Sequence, residues 1–362
     1  MKKSIAKRVL ILILLVLIIA PFSLAAYWYV RGQIYLGGKD ANCITYLKKN
    51  SLVIPPTGDL NLSLFDSTCL TASVFLLGEI HGFADVQSLD DRLFTFLNRK
   101  ASVRHYIAEM DSSRSKQLNT FLAGTTADTV LLRQIIKAIA LRIPQQSSRE
   151  LYQKWLRLYT YNQALSPDKK ILVHGIDTDF SDTLATISRD SAMFLNLKSI
   201  LAQSSLNREK FYGLFGYYHV LQAGIGHKDT YLFAAKLKRS AYLGPNAIRS
   251  LICLPLESNM YMPATISDYP TPPNEQLGWF NADGPLALVN GIEDLKSSSQ
   301  VNSQTLFRLD GAQSPYGTGQ RLLGVRSTLM GDNILPSTTT RPTTDYYQYV
   351  VLLRGSKALT KL

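Results

Sequence analysis

Short apolar runs recur along the chain, and helical patterns fill the spaces between them. Ser73 to Gly78, Arg104 to Glu109, Lys170 to Ile176, Phe211 to Leu221 and Ser250 to Leu256 each read as a strand buried on both faces. Leu286 to Asn290 reads as a short sixth, and the β-branched and aromatic stretch Tyr346 to Leu353 as the last. Between the first two, Val86, Leu89, Leu93, Phe96 and Leu97 recur on one helical face. Residues 114–165 carry two more helical stripes, separated by Pro144, and a further helix is expected over about 182–203. Strands alternating with helices predict an α/β fold with a mostly parallel central sheet flanked by helices. The proline-rich stretch 260–285 and the Ser/Thr/Pro-rich stretch 331–344 read as loops.

The N-terminus stands apart from this pattern. Val9 to Val30 is 22 residues without a charge, long enough to cross a hydrocarbon core of roughly 30 Å as a helix. Lys2, Lys3, Lys7 and Arg8 precede it and Arg31 closes it, a distribution that keeps the N-terminus cytoplasmic. Two readings follow. One is a transmembrane signal anchor, supported by the length of the run and by the interfacial triplet Tyr27-Trp28-Tyr29. The other is a signal peptide cleaved near Ser23-Leu24-Ala25-Ala26. Both place the globular part outside the cytosol. The expected organisation is a signal anchor over 1–31, a linker and lead-in over 32–70, and one α/β domain over 71–362.

Formal charge is +12, and the five basic residues of the N-terminal segment account for part of it. No dense Lys/Arg stripe exists in the rest, so nucleic acid is not an expected partner. Outside the cytosol, Cys43 and Cys69 could pair; three buried thiols, with Cys253, is the alternative.

In an open parallel sheet, ligands bind at the carboxyl ends of the strands. That rule selects Gly78-Glu79-Ile80-His81-Gly82 after the first strand, Glu109 and Asp111 after the second, Asp177 and Asp179 after the third, and His219 in or after the fourth. Glu79 and His81, two apart in extended backbone, share a face. A histidine beside carboxylates has its tautomer fixed and its basicity raised, as a general base requires; two histidines with carboxylates are equally a metal-ligand set. Arg189, Met193 and Asn196 lie along one face of the following helix, with Met193 placed to pack on the sheet and Arg189 to hold an oxyanion or carboxylate. Asp177 and Asp179 also fit helix caps. Tyr217 and Tyr218 flank His219 as candidate pocket walls, whereas His105, His174 and His227 read as structural. No G-x-S-x-G elbow is present and the cysteines lie elsewhere, so a serine or cysteine nucleophile has no support.

This ordered set, with G-E-x-H-G after a strand, a Glu ending the next, R-D-x-x-M-x-x-N on a helix and a later strand carrying a His, resembles the erythromycin esterase-like superfamily, whose relatives include ChaN-like haem-associated proteins and the TraB/Tiki group. The resemblance covers roughly residues 73–222. It implies a hydrolase of ester or related acyl bonds acting on a small-molecule substrate and needing no cofactor. His81 would activate water, Glu79 and Glu109 would be site carboxylates, Arg189 a site arginine and His219 the second site histidine. The relatives imply two alternatives, a haem or small-ligand binding protein and a metal-dependent peptidase. The chain departs from the erythromycin esterase pattern in two places. Only Ile80 separates Glu79 from His81, which is closer to the ChaN-like spacing, and Gly216 stands where those esterases tend to have a further His.

Overall fold

The computed structural model describes residues 2–180, 186–203, 205–206, 208–244, 246–266, 271–328 and 333–362, with side chains from Val16 onward. Its centre is an eight-stranded sheet. The strands are β1 (Ser51–Ile54), β2 (Val74–Glu79), β3 (His105–Ala108), β4 (Leu172–Gly175), β5 (Phe211–Gly216), β6 (Ile248–Leu256), β7 (Gln304–Arg308) and β8 (Tyr349–Arg354). They lie in the order β1-β7-β8-β6-β2-β5-β3-β4. Every neighbouring pair from β8 to β4 is parallel. Only β1 with β7 and β7 with β8 are antiparallel. The fold is therefore mixed α/β with a mostly parallel sheet, as the alternation of runs predicts.

The continuous apolar runs follow from burial on both faces. Along β2, Val74 and Leu76 point into one core while Phe75 and Leu77 point into the other. The first core is closed by α3 (Ala84–Ala101), α4 (Ser112–Ala123), α5 (Thr129–Ile139) and α6 (Arg149–Gln163). The second is closed by α7 (Arg189–Leu201), α8 (Phe233–Arg239), α2 (Ala41–Lys49) and the end of the N-terminal helix α1 (Lys2–Leu36). Val86, Leu89, Leu93, Phe96 and Leu97 are all buried along α3, and Pro144 starts the short 3-10 turn that separates α5 from α6. The first core holds one buried ion pair. Asp90 accepts from Lys154 Nζ at 2.7 Å and from the hydroxyls of Tyr106 at 2.9 Å and Tyr212 at 2.6 Å, tying α3, α6, β3 and β5 together. Removing one partner of such a pair typically costs about 3–5 kcal/mol.

Three expectations need amendment, and of the two readings for the cysteines the structure bears out three buried thiols. Residues 51–54, within the stretch read as lead-in, form edge strand β1, and β7 enters the sheet from a segment with no strand signal. The run at Leu286 to Asn290 does not join the central sheet: Ala287–Val289 pairs with Val325–Ser327 as a separate antiparallel ribbon. The fourth strand stops at Gly216, because its last N–H goes to a side chain, and Tyr217–Val220 turns away as a 3-10 segment. Cys43 and Cys69 are free and buried in cores on opposite sides of the sheet, so they do not pair; Cys253 is also a free buried thiol.

Among the described residues no helix is long and apolar enough to cross a membrane. The expected span 9–30 lies within α1, and its first part, 9–15, falls outside the described side chains. From Val16 to Arg31 every residue is exposed, and among the described side chains α1 meets the domain at its last turns, where Gly291 N–H donates to Leu36 O at 2.8 Å. The start of the helix expected over 182–203 likewise lies outside the described residues; α7 begins at Arg189.

Candidate functional site

The chain leaves β2 toward α3 on one face of the sheet and leaves β5 toward α8 on the other. Connections running to opposite faces open a crevice between β2 and β5 at their carboxyl ends, the position at which open α/β sheets bind ligands. Glu79 is the last residue of β2 and Gly216 the last of β5, and the two are register partners. Glu109 directly follows β3, and Asp177 lies just beyond β4. Glu79, His81, Glu109 and His219 all reach this crevice.

His81 is held from behind. Its Nδ1 lies 3.0 Å from Glu79 Oε1, which also accepts from Gln146 Nε2. Glu79 is buried, and its Oε2 has no hydrogen-bond partner among the described residues. With the carboxylate ionised, Nδ1 carries the proton and donates, leaving Nε2 as the acceptor. Nε2 faces Gly216: a Cβ built there would lie 3.3 Å from His81 Nε2 and 3.5 Å from His219 Cδ2. The backbone that carries His81 needs Gly82. Its φ is +108°, and a Cβ would stand 2.7 Å from both Met260 Cγ and Tyr261 O, so the 260–262 segment closes against the loop only because no side chain intervenes.

The second half of the site is an ion-pair chain. Glu109 accepts the Gly216 N–H on Oε2 at 2.7 Å and Arg189 Nη2 on Oε1 at 2.7 Å. Arg189 Nε and Nη2 also engage both oxygens of Asp177. His219 Nδ1 bonds Asp190 Oδ1 at 2.7 Å, and its Nε2 lies 3.6 Å from Glu109 Oε1. Burial pushes both imidazoles toward neutrality, yet the carboxylates prevail. His81 is raised above its ordinary value by Glu79 and Glu109, and His219 by Glu109 and Asp190. Burial opposes ionisation of Glu109 as well, but His219, His81, Arg189 and the Gly216 N–H hold it below the ordinary carboxylate range.

The five residues singled out as His81, Glu79, Glu109, Arg189 and His219 thus converge, with different geometry for each. Arg189 grips two carboxylates, which fixes Glu109 in place. Asp177 is its partner, and Asp111 caps α4 by accepting Arg114 N–H at 2.9 Å. Met193 is buried under the sheet, and Asn196 donates to Ile176 O at 2.8 Å. His105 and His174 stack together away from the site, near the start of β3, with Nδ1 and Nε2 2.8 Å apart. Sequence reasoning left two residues without a role. Asp190 sits inside the R-D-x-x-M-x-x-N motif and orients His219, so the motif was its signal. Gln146 arrives from the turn at Pro144, where no pattern marks it. Among the described residues no three His, Cys, Asp or Glu side chains are arranged to hold a metal ion.

Beside His81 opens a cavity of about 250 Å³. Glu79, His81 and Gly216 form its polar end, Tyr217 and Tyr218 flank it, and its walls come from the 260–262 segment and from the Ala287–Val289 and Val325–Ser327 ribbon.

Solved structures show that the chain shares its α/β fold with known proteins, an erythromycin esterase among them. No family model matches the sequence, and no curated protein matches it. Solved structures do. A protein from Bacillus cereus superposes with a TM-score of 0.63 at 14% identity, covering 89% of this chain and 98% of its own. A succinoglycan biosynthesis protein gives 0.56 at 12% identity, with 89% and 98% covered. The erythromycin esterase EreC, as a mutant in its open conformation, gives 0.59 at 10% identity, with 82% and 95% covered.

Proposed function

We propose that the protein is a hydrolase in which His81 activates water for attack on an ester or related acyl bond of a small-molecule substrate. One observation carries this reading: the Glu79 carboxylate at 3.0 Å from Nδ1 leaves His81 Nε2 as a proton acceptor at the mouth of a cavity. Nε2 takes one proton from water as the hydroxide oxygen bonds to the acyl carbon. The bond from that carbon to the leaving oxygen then breaks, and the leaving oxygen receives the proton from Nε2, giving an acid and an alcohol. Glu79 accepts the Nδ1–H and stabilises the imidazolium. His219, poised between Asp190 and Glu109, supplies positive charge to the developing oxyanion. Arg189 positions Glu109. No step requires a cofactor.

The apolar walls of the cavity support a second reading, a small-ligand binding protein with the same pocket. One comparison separates the two. In a screen of soluble aryl esters, wild type turns over at least one, and His81→Ala loses roughly 10²–10⁴-fold in kcat with unchanged circular dichroism. A variant that keeps full turnover ends the hydrolase reading.

The uncharged run 9–30 further supports an N-terminal anchor with the domain outside the cytosol. Cell fractionation and N-terminal sequencing test it; a mature chain beginning near Ala26 would replace the anchor with a cleaved leader.

A further inference from the structure

The cavity's polarity is divided. Glu79 and His81 are the only titratable acid or histidine among its described lining residues, both sit at one end, and no Lys or Arg lines it. The buried Glu79 Oε2 has no partner there, so that end is suited to a water or hydroxyl donor. The rest of the lining is mostly apolar, with Ile80, Met260, Met262, Phe280, Ala287 and Val325 beside the polar residues Gln145, Tyr217, Tyr218 and Ser327; Met260, Met262, Ala287 and Val325 are buried. With no cation in it, such a lining does not neutralise a phosphate or a carboxylate, and its few polar groups leave most hydroxyls of a desolvated sugar unpaired. The two methionines adapt their shape to an aliphatic occupant. Pockets for drug-sized ligands run from roughly 300 to 1,000 Å³, so about 250 Å³ fits one slender group and not a large ring system.

Resting on the hydrolase reading for its chemistry, we infer that the cavity is an acyl pocket: the substrate is an ester whose uncharged aliphatic acyl chain lies along Met260, Met262, Ala287 and Val325, with its carbonyl carbon at His81. The chain can be delivered from a dissolved ester or from a lipid ester.

The test uses the full-length protein and two independent readouts. Hydrolysis is measured on p-nitrophenyl acetate and p-nitrophenyl octanoate in solution, and on p-nitrophenyl palmitate in phosphatidylcholine vesicles. Binding is measured calorimetrically with octanamide, which cannot report turnover. The expected result is a kcat/KM for octanoate, or for palmitate in vesicles, at least about tenfold above acetate, together with saturable octanamide binding; whichever long ester leads identifies the delivery route. Ala287→Phe, and independently Val325→Phe, should lower the octanoate-to-acetate ratio at least about tenfold and abolish octanamide binding. Two variants at different strands guard against one that misfolds, and circular dichroism identifies such a case. Acetate turnover without octanoate preference or octanamide binding overturns the acyl pocket and leaves the hydrolase. Octanamide binding lost in both variants, with no ester turned over, overturns the hydrolase and keeps the pocket. Absence of both overturns both.

Discussion

The Cα of Gly216 lies against the imidazole of His81, so that a β-carbon at position 216 would stand 3.3 Å from Nε2. The same residue gives its N–H to Glu109. One backbone position therefore sets both the open face of the base and the orientation of the second carboxylate.

Substituting that position tests the spacing. Gly216→Ala leaves the strand ladder intact but crowds Nε2 and His219 Cδ2. Displacing a reacting group by a fraction of an ångström to 1 Å costs up to roughly 10²-fold in rate. We expect kcat to fall with a smaller change in KM and a melting temperature close to wild type. Unchanged kcat would show that water is not held at Nε2.

Glu79→Gln tests what fixes the base. The amide is nearly isosteric and still accepts the Nδ1–H, but it carries no charge to oppose the burial that pushes His81 down. The pH-rate profile of wild type should lose activity on the acid side with an apparent pKa above 6.5, the ordinary value. In Glu79→Gln that limb moves to lower pH while kcat falls by roughly 10²-fold. An acid limb that stays in place would assign it to another group.

Stability should move with pH differently from activity. His81 and His219 are raised above 6.5 in the fold. Their contribution is complete below that value and is lost as pH rises through the raised ones. Glu109 is held below 4.5, so its contribution is complete above that value and is lost as pH falls through the lowered one. Burial drives His105 down to about 3 and lowers His174, so those two oppose the trend below 6.5, and the site's own contribution is read by difference. Urea unfolding should show a stability deficit of His81→Ala and His219→Ala that is largest below pH 6.5 and shrinks as pH rises. A deficit that grows through neutral pH would contradict these assignments.

Arg189 tests positioning against direct contact with the substrate. Arg189→Ala leaves buried Glu109 and Asp177 without their shared cation and should destabilise the fold by about 3 kcal/mol, read as a lower urea midpoint. Arg189→Lys restores charge without the two-pronged geometry and should recover part of that loss. Loss of turnover at full stability would instead place the guanidinium on the substrate.

How legible all this is in the sequence varies with the physics of each element. The runs around Phe75, Ile107, Leu214 and Leu254 stand out because strands buried on both faces are apolar throughout. Gln304-Thr305-Leu306-Phe307-Arg308 and Ser51-Leu52-Val53-Ile54 do not stand out: they are short antiparallel elements, the second at the sheet edge and the first between it and β8, and their place depends on partners far away in the chain. Ala287-Leu288-Val289 has strand composition but pairs elsewhere, which composition cannot decide. The site acids and histidines are visible because sheet topology assigns chemistry to strand ends. The cavity walls are not, because Met260, Met262, Phe280 and Val325 come from loops and a small ribbon with no period to read.

That division of labour has a consequence for how such a protein can change. The groups proposed to activate water come from residues 79–219, whereas most of the apolar cavity wall comes from residues 260–334. On that reading, two stretches of the chain govern separately what is done and what it is done to, and replacements in the later stretch would alter the fit of a ligand while the earlier one stays tied into the sheet.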